Sequence, residues 1–314
     1  MRTTRWLALG LLGIIGFAAA CGGGSDPARR QSLPAPANDY YSSLTAIWAF
    51  SDHDVWAVGD RVLHYDGQRW SEVEGPLAGP VFLSALWGLA PDDLWATWGS
   101  QIFRWRGQAS GWVELDHGIS NAPEFNAVWA LTPDDYAAGG GDVNWEIIRS
   151  KDGVITRAYT HGVTTGIWGA NSDDVWAAAE SGGFWHWTGG RWSNVEPPSG
   201  GGDYPQSVWG FAPDDVWAAG EWGTLDHWDG VAWTPTVLED ADLRAVWGAA
   251  SDDVWAVGEE GAVWHFDGQS WSSRGGAGWS VFFTGISGSG PDSVWAVGYE
   301  LNTHGNHGVV YRVR

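Results

Sequence analysis

Three sets of side chains in this 314-residue chain have the types and spacing for chemistry. Acid pairs such as Asp92-Asp93, Asp214-Asp215 and Asp252-Asp253 place two hard oxygen ligands side by side, as calcium prefers. In the last repeat of the same phrase the second acid is Ser293, which keeps a short side chain able to bond a turn amide but loses the charge. The pairs therefore read as turn structure, and no metal is expected. Four histidines, His64, His186, His227 and His265, recur at one place in their repeats. If the repeats surround a common axis, these imidazoles diverge too far to share an ion, and each is expected to hydrogen-bond within its own unit. The third set is the aromatic and acidic residues of the connections: Trp98, Trp145, Trp222, Trp279 and Tyr299, with Glu180, Glu221, Glu259 and Glu300. Exposed indoles beside carboxylates offer a flat face for a sugar ring and acceptors for its hydroxyls, whereas a pair of acids alone is the machinery of a glycoside hydrolase.

The elements that must position these residues follow from a repeat. "IWAFSDHDVWAVG", "LWGLAPDDLWATWG", "VWALTPDDYAAGG", "IWGANSDDVWAAAE", "VWGFAPDDVWAAG", "VWGAASDDVWAVG" and "ISGSGPDSVWAVG" align with their first aromatic at Trp48, Trp87, Trp129, Trp168, Trp209 and Trp247, and with Ser287 in the seventh. Their spacings are 39, 42, 39, 41, 38 and 40 residues, the period of a propeller blade. Each unit reads as four short strands: A around Ala-Val-Trp-Gly, B as Asp-Val-Trp-Ala-Val-Gly, C as Val-Trp-His-Phe, and D opening on the Trp after an Asp-Gly turn. The expected fold is all-β, a seven-bladed β-propeller of four-stranded antiparallel blades over residues 38–314. The seventh unit stops after strand C, so an N-terminal strand in "NDYYSSL", Asn38 to Leu44, is expected to complete it.

Of 27 tryptophans, 22 fall at repeat positions, including Trp56, Trp95, Trp176, Trp217, Trp255 and Trp295 in strand B. These read as bulk packed between blades. Trp98, Trp145, Trp222 and Trp279 have no repeat-imposed place, and Trp6 belongs to the leader. In an up-and-down blade the B-to-C and D-to-A connections share one face and the A-to-B and C-to-D turns the other. The first pair varies greatly in length and the second hardly at all, so the varied face is the candidate binding surface.

The phrase "DDVWAVG…G.VWHFDGQSW" resembles the tectonin-type repeat across about Ala46 to Arg314. It is also similar to the Asp-box of sialidase-like propellers, although Asp66-Gly67, Asp229-Gly230 and Asp267-Gly268 are adjacent here where that box has an intervening residue. Both resemblances imply a propeller. The tectonin one further implies a lectin; the sialidase one implies a glycosidase, which needs an arginine cluster that the variable connections lack.

Before the repeats, "MRTTRWLALGLLGIIGFAAAC" has Arg2 and Arg5, an apolar run too short to span a bilayer, and small residues before the only cysteine, Cys21. It resembles a bacterial lipoprotein signal over residues 1–20, which implies lipidation of Cys21 and placement in the cell envelope. Residues 21–37, rich in Gly, Pro and Ala, read as a tether. Net charge is −22, and −24 without the leader, which makes nucleic acid a poor partner. The expected function is a lipid-anchored binding module for carbohydrate, or otherwise a scaffold for a surface protein, without cofactor and without catalysis.

Overall fold

Strands in this chain are short because each apolar alternation is cut by a Gly or Asp turn, and strand B of each blade buries both faces while the outer strand D stays largely exposed. The computed structural model describes residues 28–35, 42–77, 81–141, 144–181, 183–197, 204–238, 242–303 and 305–314. These form seven four-stranded antiparallel sheets, the blades of a β-propeller. Blade 1 runs A Leu44–Ser51, B Asp54–Gly59, C Val62–Tyr65 and D Trp70–Val73, and blades 2 to 6 repeat that order. The expected leader and Cys21 lie outside the described residues.

Blade 7 consists of Val281–Gly290, Ser293–Asn302 and Gly305–Arg312, completed by an N-terminal strand. That strand is Arg29–Arg30, paired as Arg29 with Arg312 and Arg30 with Tyr311, and not the Asn38 to Leu44 stretch. Asn38 to Tyr41 lie outside the described residues, while Leu44 is buried and opens strand A of blade 1. The segment read as tether thus supplies the closing strand. It is held because the Arg30 guanidinium pairs with Glu300, the Gln31 amide donates to the Val310 carbonyl at 2.8 Å, and Leu33 packs beside Trp70 and Trp295. Closure is also made at the centre, where Thr284 donates to the Leu44 carbonyl at 2.8 Å and the Ala49 amide to Ser287 Oγ at 3.2 Å.

Blade-to-blade packing explains the Trp-Gly pair of strand A. A Cβ on Gly169 would stand 2.6 Å from the Trp129 ring, one on Gly210 2.7 Å from Trp168, and one on Gly288 2.5 Å from Trp247. The indole of each of these blades occupies the space a side chain would take on the next. Blade 7 has Ser287 in place of the Trp, and the following blade has Ala49 in place of the Gly.

Further out, strand B of each blade opens on the second acid of the pair, which the sequence reading had bonding a turn amide. It turns instead to strand C. Asp54, Asp174, Asp215 and Asp253 accept from His64, His186, His227 and His265 at 2.9, 3.1, 2.8 and 2.6 Å, and each imidazole packs on its own strand-B tryptophan. In blades 2 and 3 an arginine replaces the histidine: Arg104 grips Asp93, and Arg149, fully buried, grips Asp135. In blade 7, with Ser293 in place of the acid, Arg312 lies over Trp295 at 5.4 Å. The first member of each pair lies in the A-to-B turn against a C-to-D glycine; a Cβ on Gly230 would reach 2.7 Å from Asp214, and one on Gly268 2.8 Å from Asp252. The turn aspartates Asp66, Asp229 and Asp267 each accept two backbone amides, and those bonds hold their carboxyls below the usual range.

C-to-D connections keep one chain length with one exception, although in blade 3 the pairing runs on to Lys151 and Val154 and leaves a two-residue turn. The paired residues Trp105 and Trp112 of blade 2 enclose a turn two residues longer than the one between Tyr65 and Trp70.

Two outcomes test this account. Removing Ala28 to Gln31 should cost about 1–3 kcal/mol by denaturant unfolding, the value of a few backbone hydrogen bonds and an uncovered edge, and removing Gly22 to Ser25 should cost nothing. His265 is depressed below 6.5, first by burial and then by the charges of Arg274 and Arg314, against the opposing pull of Asp253. Its Nε2 faces Asp253 and its Nδ1 faces Arg274 at 2.5 Å, so the neutral ring donates to one and accepts from the other. Between the depressed value and 6.5 the unfolded chain binds the extra proton, so this contribution to stability rises with pH through that window and is lost as pH falls. The advantage in melting temperature of wild type over His265→Gln should be larger at pH 7.5 than at pH 5; a constant gap refutes it.

Candidate functional site

Strand A lines the axis, and its first polar position recurs in every blade: Thr45, Ser84, Asn126, Thr165, Gln206, Arg244 and Thr284. These seven hydrogen-bonding side chains ring the mouth of a central channel of about 380 Å³. The threonines also tie blades together, Thr45 donating to the Leu83 carbonyl at 2.6 Å and Thr165 to that of Pro205 at 3.0 Å.

Deeper in the channel lie strand-A tryptophans. The Trp48 ring centroid is 4.5 Å from Trp87 and 6.3 Å from Trp209, and Trp87 is 6.2 Å from Trp209, so indoles of blades 1, 2 and 5 meet across the axis. All three are half-buried. The reading of every repeat tryptophan as bulk between blades is corrected here: these three narrow the bore. Trp87 faces Ala130, where five other blades have Gly, and its Nε1 donates to the Ala130 carbonyl at 2.9 Å.

The B-to-C and D-to-A connections share the face around this mouth, and backbone bonds join them: Leu83 to Gly59 at 2.9 Å, Phe125 to Gly99 at 2.7 Å, Leu238 to Gly223 at 2.9 Å. On that face the structure separates the sequence-predicted residues into two groups. Trp145, Trp222 and Trp279 are exposed, at 45%, 59% and 81%. Trp98 is half-buried against the cluster of Trp56, Leu83 and Trp105, and Tyr299 stacks on Phe282 at 5.3 Å. The acids are engaged: Glu180 accepts from Gln206 at 3.4 Å, while Glu221 and Glu259 both take Arg244, at 3.3 and 2.5 Å. Burial works to lower the Arg244 pKa, but the Glu259 hydrogen bond and the charges of Glu259, Glu221 and Asp242 raise it on balance. Asp60, on the same face, is raised by burial despite its bond from the Ser43 amide and the Arg61 charge.

Trp222 stands in a turn that blade 6 repeats. Glu221–Gly223 and Glu259–Gly261 are single 3₁₀ turns whose central residues, Trp222 and Glu260, both have φ of 54°, a left-handed backbone that a bulky side chain rarely adopts. The Trp222 amide donates to Asp242 at 2.7 Å and its ring meets Tyr204 at 5.3 Å. Three exposed indoles therefore sit on blades 3 and 5 and on the connection between blades 6 and 7. They are spread around the mouth and do not line one small pocket.

Arg244, Phe282 and the mouth ring were missed in the sequence. The signal was there for the ring: a polar residue stands three places before the strand-A Trp, or before Ser287, in all seven units. Among the described residues, no group of three or more His, Cys, Asp or Glu converges as for a metal. The arginines are dispersed among blades, and Arg61, Arg104, Arg149, Arg157 and Arg244 each pair with acids of their own or a neighbouring blade.

No protein-family model and no curated protein matches the chain. Solved structures do. YCF48 bound to a D1 peptide is 16% identical with a TM-score of 0.68, covering 92% of this chain and 97% of that one. The WD40 propeller of Doa1 is 10% identical with a TM-score of 0.71, over 91% and 97%. Streptogramin B lyase is 14% identical with a TM-score of 0.68, over 85% and 92%. At these identities the likeness shows the fold, a β-propeller compatible with a binding or scaffold role, and the lyase shows that the fold also carries catalysis.

Burial separates structural from surface tryptophan. Trp217→Ala, emptying a site 5% exposed, should cost about 3–5 kcal/mol. Trp222→Ala should cost under about 1 kcal/mol, and Trp222→Gly should be neutral to stabilising, since glycine accepts the left-handed backbone freely. Chemical denaturation of the three variants is the check, and equal destabilisation by Trp217→Ala and Trp222→Ala would make Trp222 part of the core.

Proposed function

We propose that the chain is a binding module which engages a protein partner through its loop face, with Trp145, Trp222 and Trp279 as anchors. The observation that carries this reading is the exposure of those three indoles at positions the repeat does not require, dispersed over a face broader than a small ligand. Buried aromatic anchors supply most of the affinity of protein interfaces, and a left-handed Trp is a strain the fold alone does not need. One structural neighbour holds a peptide, which favours the same class of partner. Carbohydrate is the second reading, favoured by the seven polar side chains at the mouth above a tryptophan-lined bore, a combination suited to hydroxyl-rich rings.

We further propose lipid anchoring through Cys21 in a bacterial envelope. Arg29 pairs with Arg312 at the end of strand C, so the chain enters blade 7 from the face of the A-to-B and C-to-D turns. With the closing strand eight residues after Cys21, that face would lie toward the membrane and the loop face away from it.

The test is made in cells with the full chain carrying a photo-crosslinking residue at position 222, 279 or 267. Positions 222 and 279 should give the same discrete protein adduct and position 267, on the turn face, none; that adduct should carry labelled palmitate, and Cys21→Ser should remove the label. Adducts equal at all three positions, or glycan-array binding that Trp222→Ala abolishes without any protein adduct, would overturn the protein reading.

A further inference from the structure

The longer C-to-D turn of blade 2 changes one blade interface. At three others the strand-B tryptophan meets the strand-D tryptophan of the next blade edge to face: Trp295 with Trp70 at 6.0 Å, Trp176 with Trp233 at 5.2 Å, Trp217 with Trp271 at 5.7 Å. Trp56 of blade 1 meets Trp105 at 5.3 Å, and Trp105 meets Trp112 at 5.7 Å, but no ring contact joins Trp56 to Trp112. The two extra residues carry the hairpin end outward. Gly107 and Gly111, both with positive φ, let the turn close on itself, Gly111 donating to the Gly107 carbonyl at 2.8 Å.

What opens between the blades is a groove of about 820 Å³. Trp56, Trp105, Trp112 and His64 form its aromatic lining, and Ser71, Gln108 and Ser110 contribute hydroxyls and an amide. Its charged residues are Asp54, Glu72 and Glu74, with no Lys or Arg in the lining. Asp54 is taken by His64, and Glu72 lies 3.5 Å from Arg61. Glu74, exposed at the rim, has no ion-pair partner among the described residues. A half-buried indole in the same groove as a carboxylate without an ion-pair partner among the described residues, in a chain of net charge −22, favours a planar cation and repels an anion.

We propose that this groove between blades 1 and 2 is a second binding site, for an arginine side chain of a partner polypeptide, with Trp112 as the stacking face and Glu74 as the acceptor. A guanidinium fits where the neighbouring interfaces place an aromatic ring: it is flat, stacks on indole, and directs its N–H groups outward to carboxylates. The site runs along the outer edge from the C-to-D turn of blade 2 to Glu74 at the end of strand D of blade 1, and it shares no residue with Trp145, Trp222 or Trp279, so it is independent of the loop-face reading.

The experiment titrates the full chain in non-ionic detergent with blocked Gly-Arg-Gly, Gly-Lys-Gly and Gly-citrulline-Gly peptides, read by ligand-observed NMR. Arginine should bind best, with citrulline at least tenfold weaker. Glu74→Gln and Trp112→Ala should each weaken the arginine peptide about fivefold, on the order of 1 kcal/mol for an exposed cation–aromatic or ionic contact. Removing Ala109 and Ser110, which restores the turn length of the other blades, should abolish binding while the melting temperature holds; if that variant does not fold, the two point variants decide. Glu260→Gln and Trp222→Ala, both on the loop face, should change nothing. Equal binding of arginine and citrulline peptides, or equal weakening by Glu260→Gln and Glu74→Gln, would mean diffuse attraction to an acidic protein and would overturn the site.

Discussion

The close approach of one blade's tryptophan to the next blade's glycine is the constraint from which much else in this ring follows. An indole placed where a Cβ would stand leaves no tolerance in the spacing of adjacent A strands. Packing of this kind is steep in distance, and a methylene too many is resisted as strongly as a void. The bore narrows because the same residues crowd the axis. Where the glycine is absent, at Ala130, the preceding Trp87 sits half-buried among Trp48 and Trp209 in the channel. Trp48 and Trp209 reach the bore even though the next blades carry Gly88 and Gly248, which meet Trp48 with Phe50 and Phe211 respectively, so one sequence position serves both as wedge between blades and as plug of the bore.

A second layer, farther from the axis, is polar. The acid that opens strand B and the histidine or arginine of strand C pair in six of the blades, in five of them with a tryptophan two residues after the acid, so the strand-C corner recurs with two chemistries, imidazole and guanidinium. Arg104 on Asp93 and the fully buried Arg149 on Asp135 neutralise a carboxylate that burial would otherwise penalise, whereas the neutral ring of His265 satisfies Asp253 by donating a hydrogen bond and accepts one from Arg274. The blade without the acid, blade 7, keeps its arginine over the tryptophan and lets Ser293 accept from the indole N–H at 3.1 Å. The indole donates to the residue at this position in three blades, at Asp54, Asp253 and Ser293, whereas the indoles of Trp95, Trp176 and Trp217 find no partner, so the recurrent bond of the acid is the one to strand C.

The ring was legible because its information is local and repeated: the period, the Asp-Gly turns and the strand-B tryptophans each state the blade in a few residues. What escaped was nonlocal or of low contrast. Arg29–Arg30 carries no strand signal, since two residues show no alternation, and only the edge of strand C at Tyr311 and Arg312 makes them a strand. Arg244 looks like an ordinary exposed base until the ring sets Glu221 of one blade and Glu259 of its own beside it. Trp98 and Trp222 are indistinguishable by their departure from the repeat, yet one packs under Leu83 and the other stands on a left-handed turn; the difference lies in the backbone each sits on.

The two faces of the disc therefore obey different physics. On the turn face, carboxylates are consumed by backbone amides, as at Asp66, Asp229 and Asp267, and the chain is held to one geometry by glycines that allow no side chain. On the loop face backbone bonds still join the connections, but Glu221 and Glu259 are taken by the Arg244 side chain, the lengths differ from blade to blade, and large apolar groups stand in water. A rigid ring makes that second condition tolerable, because strain at Trp222 and exposure at Trp279 are small against the burial of the tryptophans that hold the blades. The lengthened turn of blade 2 has the same character: it borders a groove lined by aromatic rings and by Glu74, which has no ion-pair partner among the described residues. In both places the repeat is relaxed where its packing can bear the loss, and there the side chains become available to a partner.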